Sequence, residues 1–292
     1  MKFVTFTGKK SGVQNVSTTL SRDVPTPGVL VGKEIADLTG LAYPSVLAIL
    51  EGGEIALREV AAKLEKAPRV ALSEVDLQAP LRPPRVFGVG LNYASHAAES
   101  KMAVQKVPTV FMKLTSSVVG PDAPVVLPKV SAQPDYEAEL GVVIGKAGYQ
   151  IKAEDWQKHV FGYTIVNDVS ARDVQLATSQ WTLGKSFPSF TPLGPAVVTA
   201  DEVGDPHGLG ISLAIDGETL QSANTRDLIF KIPALIEYIS STTPLEVGDV
   251  ISTGTPEGVG LGRTPQRWLK PDEEMVITIE KLGTLRNRTV AE

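Results

Sequence analysis

The chain has 292 residues, a formal net charge of −5, 42% hydrophobic and 21% charged residues, and no cysteine. This composition is that of an ordinary globular protein, and it excludes disulfides, thiolate zinc sites and a cysteine nucleophile. The mildly acidic balance without a basic run offers no footprint for nucleic acid or anionic lipid. No apolar stretch is long enough to span a bilayer, and Met1-Lys2-Phe3-Val4-Thr5-Phe6 lacks the apolar core of a secretory leader, so a cytoplasmic location is expected.

Residues 1–78 read as a small module. It has a short first strand, a Gly-bearing segment around Val29-Leu30-Val31-Gly32, and helical patterns at Ser45 to Leu50 and Ile55 to Leu64, interrupted by Glu51-Gly52-Gly53. The Pro-rich run Gln78 to Arg85 is extended by its prolines and marks the expected boundary with a larger domain, 79–292. Beyond it, short strands are expected at Val86 to Val89, Val107 to Met112, Leu140 to Ile144, Phe161 to Val166, Ala196 to Thr199, Ile211 to Ile215, Val250 to Thr253 and Met275 to Glu280. Asp216-Gly217 is a hairpin signal. Helices are expected only at Val169 to Thr178 and Pro233 to Ile239, which makes the larger domain β-rich α+β rather than doubly wound.

Within this frame, His96 and Glu99 stand three residues apart, so one helical turn brings them together. A carboxylate beside an imidazole fixes its tautomer, as a general base requires; an inconsequential surface pair is the alternative. The other histidines, His159 and His207, lie in polar, turn-like surroundings. Glu137 and Glu139 head an apolar strand and point the same way, because strand side chains alternate. Two like charges on one face repel, and a hard dication would turn them into ligands; a solvated face is the plainer reading.

Asp168 follows the buried strand Phe161 to Val166 and supplies a third carboxylate. If the next segment is helical, Asp168, Arg172 and Gln175 share one stripe, although Asp168 capping that helix and pairing with Arg172 explains the same spacing. Lys185, in Gly184-Lys185-Ser186-Phe187, is placed to hold a substrate oxygen by charge, or is a solvated lysine. Thr255, in the Gly-rich turn Thr253 to Gly260, is placed to bond a substrate carboxylate.

Taken in order, these segments resemble the fumarylacetoacetate hydrolase family over roughly residues 80 to 285. The resemblance rests on Gly90-Leu91-Asn92-Tyr93 with His96 and Glu99, the Glu137/Glu139 pair, Asn167 to Asp173 with Gln175, Gly184 to Phe187, and Thr253 to Gly260. It implies a mixed β-sandwich roll and a homodimer. It also implies Mg²⁺ or Mn²⁺, with Ca²⁺ in some members, held at Glu137, Glu139 and Asp168, and a lid bearing His96 and Glu99. Many members have Asp after Gly-Lys-Ser-Phe, where this chain has the stiffer Pro188.

The implied activity is hydrolysis of a carbon–carbon bond in a β-diketone acid such as an acylpyruvate, through a metal-stabilised enolate. His96, oriented by Glu99, would activate water, Lys185 would stabilise oxygen charge, and Arg172, Gln175 and Thr255 would hold polar ends of the substrate. Oxaloacetate decarboxylation and isomerisation of a hydroxymuconate-type acid use the same site, and a non-catalytic binding protein is a third reading. Tyr93, Met112, Phe187 and Trp181 are the expected lining of the distal pocket.

Overall fold

Ala138–Ile144 is a strand with no solvent face: all seven of its residues are buried, as befits an apolar, β-branched run at the centre of a sheet. The computed structural model describes residues 1–9, 24–99 and 105–292; residues 10–23 of the expected N-terminal module and 100–104 lie outside the described residues. Val160–Asn167 pairs antiparallel with one side of the central strand and Val250–Ser252 with the other. Val86–Gly90 then runs parallel to Val250–Ser252, and Thr109–Lys113 closes that edge.

The sheet continues in the opposite direction through Thr191–Thr199 to the N-terminal strand Lys2–Gly8, where Lys2 is opposite Val198. Thr26–Val31, Glu34–Asp37 and Arg69–Ala71 extend it further. Hydrogen bonding thus crosses the Pro-rich run without a break in the sheet. The helices Val46–Glu51 and Gly53–Leu64 pack over this N-terminal portion, contributing Val46, Ile49, Leu50, Ala56 and Val60 to a second apolar cluster.

A second sheet, ordered Glu218–Asn224, Gly210–Ile215, Glu274–Ile279, Gly283–Ala291 and Val125–Leu127, shares one apolar core with the first. Ile211, Leu213, Ile277 and Leu285 of this sheet meet Leu140, Tyr163 and Ile165 of the other in that core, and the architecture is the expected β-rich α+β roll. The turn Asp216-Gly217 has positive φ at both residues, 49° and 84°, which closes the hairpin as its sequence predicts.

One expectation is corrected. The helix after Asp168 is a single turn, Arg172–Gln175, not Val169 to Thr178. Ser170–Ala171 instead pairs with Pro134–Asp135, which draws the chain into a β-bridge before a helix can start.

Candidate active site

The antiparallel register explains why acids distant in sequence meet. Ala138 is opposite Asn167, so the entry to one strand and the exit of the next lie side by side. The Asp168 N–H donates to the Glu137 carbonyl at 2.9 Å, and the Glu137 N–H donates to Asn167 Oδ1 at 3.1 Å. Glu137, Glu139 and Asp168 each offer a carboxylate oxygen within 4.8 Å of the others, and all three are buried.

This cluster is not the bare like-charge pair that the sequence suggests. Arg172 donates from Nε to Asp135 at 2.8 Å, from Nη2 to Glu137 at 2.6 Å, and from Nη1 to Gln175 at 3.0 Å. Lys185 donates to Glu137 at 2.7 Å and to Asp168 at 2.8 Å. Lys113 donates to Asp168 at 2.6 Å, to the Val169 carbonyl at 3.2 Å and to the Lys185 carbonyl. Of the two sequence readings of Asp168, the capping one falls: it neither caps the helix nor pairs with Arg172, and its carboxylate meets the two lysines within the acidic cluster.

Four buried carboxylates (Asp135, Glu137, Glu139, Asp168) therefore face three buried cations (Lys113, Arg172, Lys185). Burial works against ionising Glu137, but Arg172 and Lys185 override it and hold its carboxyl well below the usual range. Glu139 has no such cation in contact. Burial, then the charges of Asp168 and Glu137, push its pKa up to about 8. Its Oε2 accepts from Ser252 Oγ at 2.6 Å and from the Gly254 N–H at 2.9 Å. The negative charge left uncompensated thus sits where a proton, or a hard cation, is most stabilising. Three buried oxygen donors with a charge deficit of this sign fit a divalent metal such as Mg²⁺ or Mn²⁺.

Donor arithmetic separates the two lysines. Lys113 has three N–H groups and three acceptors, so it is fully committed to holding Asp168 and the backbone around it. Lys185 has two carboxylate partners, and its ammonium lies 5.1 Å from the centre of the Phe111 ring. Burial opposes its charge, yet Asp168 and Glu137 raise its pKa, so it is a retained cation beside the cavity.

His96 and Glu99 lie on the short helix Ala94–Glu99, with Nδ1 and Oε1 3.0 Å apart. Asn92 pins the start of this segment, donating to the carbonyls of Thr253 at 2.7 Å and Phe230 at 3.0 Å and accepting the Phe230 N–H at 2.7 Å. Thr255 Oγ accepts from Gln221 Nε2 at 2.8 Å, which leaves its own hydrogen free to donate elsewhere. In the same way, the Gln175 oxygen is taken by Arg172, so its NH₂ is the free end.

These groups share one cavity enclosing about 30 Å³ of solvent-sized space, lined by His96, Glu137, Glu139, Arg172, Gln175, Lys185 and Thr255 on its polar side. Val89, Phe111, Leu176, Trp181 and Leu261 form its apolar side. Of the four residues expected in the distal wall, Trp181 is there. Met112 packs against the core, Phe187 meets Phe190 at a tilt of 54° with ring centres 5.3 Å apart, and neither belongs to the wall. Tyr93 is also behind the wall, bridged to Leu228, and its buried hydroxyl has no hydrogen-bond partner among the described residues. Pro188 is exposed and outside the cavity, so the departure there leaves its lining unchanged.

Asp135, Lys113 and Gln221 support the site without having been distinguishable as functional in sequence. Asp135 accepts Arg172 Nε together with the N–H groups of Tyr136, Gly260 and Leu261, at 2.8, 2.8, 2.7 and 3.0 Å.

The model of the fumarylacetoacetate hydrolase C-terminal domain matches residues 85–290. The chain belongs to the fumarylacetoacetate hydrolase family. It is 45% identical over 269 residues to the mitochondrial oxaloacetate tautomerase of Rattus norvegicus, a match covering 89% of this chain and 85% of the relative. Among solved structures, the fumarylacetoacetate hydrolase of Exiguobacterium antarcticum superimposes with a TM-score of 0.84 at 34% identity, covering 100% of both chains. The maleylpyruvate hydrolase of Sphingobium sp. SYK-6, in complex with manganese(II) and pyruvate, gives a TM-score of 0.82 at 31% identity, covering 100% of this chain and 99% of the other. Relatives of this chain are thus tautomerases and hydrolases of one family, and its buried acidic triad has the composition of a metal site.

Proposed function

We propose that the protein enolises a short 2-oxo acid, with keto–enol interconversion of oxaloacetate as its reaction. The observation that carries this reading is the convergence of Glu137, Glu139, His96 and Lys185 on one cavity, with Asp168 completing the acidic triad and Glu99 holding the imidazole. The name of the rat relative supports the choice of oxaloacetate.

The residues assign themselves to tasks by their hydrogen bonds. The Glu99 carboxylate can only accept, so His96 Nδ1 carries the hydrogen and Nε2 is the lone-pair nitrogen. Nε2 takes the proton from the substrate carbon next to the keto group, and the resulting imidazolium returns it to the keto oxygen. No water is consumed and no atom leaves. The free hydrogens of Thr255 and Gln175, with the charge of Lys185, bind the substrate carboxylates and orient the acidic C–H. Glu137, Glu139 and Asp168 would hold a divalent ion, for which we infer Mg²⁺ or Mn²⁺, and that ion would supply Lewis-acid stabilisation of enolate charge.

A second reading is hydrolysis of an acylpyruvate, in which His96 Nε2 takes its proton from water instead of from carbon. It is favoured by the likeness to the pyruvate-bound maleylpyruvate hydrolase. Purified protein with added Mn²⁺ should speed the decay of the oxaloacetate enol absorbance, and His96→Ala should slow it by roughly 100-fold or more, the scale of a positioned general base. Pyruvate and a carboxylic acid appearing from an acylpyruvate would favour the hydrolytic reading. Full enolising activity in His96→Ala under excess EDTA would overturn both.

A further inference from the structure

Strand Val86–Gly90 carries glycine at two positions two residues apart, Gly88 and Gly90, which lie on the same face. Neither glycine has a positive φ, so backbone freedom does not explain them. Close approach does. A Cβ on Gly88 would collide with the ring of Phe111, its partner across the sheet, and a Cβ on Gly90 would collide with the indole of Trp181. The two rings therefore lie against bare backbone, and they meet edge to face with centres 5.5 Å apart at 61°.

Both rings line the active cavity, and they close its apolar side. Trp181 immediately precedes the helical turn Thr182–Lys185, and its carbonyl accepts the Lys185 N–H at 3.1 Å. The apolar wall and the cation that reads the polar end of a ligand are thus parts of one short segment. The same turn is pressed against Gln175, because a Cβ on Gly184 would collide with the Gln175 backbone. Neither the wall nor the polar contacts can shift without the other.

We propose that Trp181, seated on Gly90, sets the length of acid that the cavity accepts. The indole occupies the space into which an acyl chain beyond the keto group would extend. The wild-type protein takes 2-oxo acids of about the size of oxaloacetate, and removal of the indole opens the site to acids with longer apolar tails. The proposal rests on the reading of this cavity as a 2-oxo acid site.

The test reads binding as well as turnover. N-alkyl oxamates from methyl to hexyl, which keep the two-carbon oxo-acid head and vary only the tail, are titrated by calorimetry into the Mn²⁺-loaded protein. Wild type should weaken sharply as the tail grows. In Trp181→Ala and, to a lesser degree, Trp181→Phe, the ratio of long-chain to short-chain affinity should rise by about tenfold or more, the scale of a few methylenes in an apolar pocket.

Gly90→Ala displaces the ring and should alter the profile on its own. In the Trp181→Ala background it should add nothing, because the two changes act through one contact. Superimposable length profiles for wild type and Trp181→Phe, with Gly90→Ala additive to Trp181→Ala, would overturn the proposal. If wild type binds the oxamates but turns over no 2-oxo acid, the proposed reaction fails while the length profile still decides the role of Trp181. If it binds none of them, the cavity is not a 2-oxo acid site and both readings fail.

Discussion

Glu99 receives the backbone N–H of Gly258 on both carboxylate oxygens, at 3.1 and 3.0 Å, while its Oε1 lies 3.0 Å from His96 Nδ1. One side chain therefore fixes the His96 ring and ties its helix to the Gly-rich turn that carries Thr255. Gly258 suits this role: its φ of 98° belongs to glycine, and a Cβ there would run into the Leu220 carbonyl. The Tyr136 hydroxyl and Arg263 Nε hold the Gly258 carbonyl from the other side, at 3.0 and 3.2 Å.

Glu99→Gln keeps the shape but offers one acceptor oxygen in place of two and sets an NH₂ against existing donors. The imidazole loses its fixed tautomer, and kcat should fall roughly 10- to 100-fold, part of what a positioned base contributes. KM should change little, because Glu99 is absent from the cavity wall. Steady-state kinetics on oxaloacetate checks this, and an unchanged kcat would reduce Glu99 to a structural tie.

Glu139 makes metal binding a proton exchange. In the unfolded chain its carboxyl ionises near the ordinary 4.5, whereas burial and the charges of Asp168 and Glu137 push it up to about 8 in the metal-free fold. The folded state binds more protons across that interval. The associated stability is therefore present in full below the unfolded value and is lost as pH rises through about 8. A dication must displace this proton, so Mn²⁺ affinity should rise by up to about tenfold per pH unit below that value. Calorimetry at pH 7 in two buffers of different ionisation heat should show nearly one proton released per metal. Uncorrected heats that are identical in the two buffers would remove Glu139 from the ligand set or its proton from the site.

Lys113→Met removes a buried ammonium and keeps its stem. Asp168 loses one of its two lysines, and two backbone carbonyls lose their donor. Breaking one side of a buried pair costs about 3–5 kcal/mol, so urea unfolding of the metal-free variant should show a loss on that scale. Mn²⁺ should recover part of it by replacing a positive charge beside Asp168. A variant as stable as wild type without metal would mean that Lys113 is not a structural counter-ion.

The contrast between Lys113 and the acidic triad shows what the chain reveals before folding. Glu137, Glu139 and Asp168 were legible because each stands at the polar end of an apolar strand, where period-two alternation makes an acid conspicuous. His96 and Glu99 needed only one helical turn. Lys113 ends the run Thr-Val-Phe-Met-Lys, which reads like any solvated strand end. Its burial depends on Val169 and Lys185, more than fifty residues away, and no local pattern encodes that. Gln221 sits in the polar-looking hairpin strand Glu218–Asn224 and becomes functional only through Thr255 and the Ala138 N–H. The helix after Asp168 is shorter than its local pattern predicts for the same reason, since the pairing that stops it comes from Pro134–Asp135.

Asp135 provides the last test, because it joins Arg172 and, through it, Gln175 to the Gly260–Leu261 loop. Its carboxylate gathers four donors, one from Arg172 and three from the backbone of Tyr136, Gly260 and Leu261. Asparagine cannot accept all four, because each oxygen takes two donors and the NH₂ that replaces one must face two of them. The local loss should be about 2–3 kcal/mol, the range for charge-assisted hydrogen bonds left unmade. Arg172 orients Gln175, and Leu261 lines the cavity, so Asp135→Asn should loosen both binding walls while leaving His96 and Glu99 in place. KM for oxaloacetate should therefore rise several-fold with a smaller change in kcat, the reverse of the pattern expected for Glu99→Gln. Equal falls in kcat for the two variants, with KM unmoved, would show that Asp135 acts on the chemistry rather than on the grip.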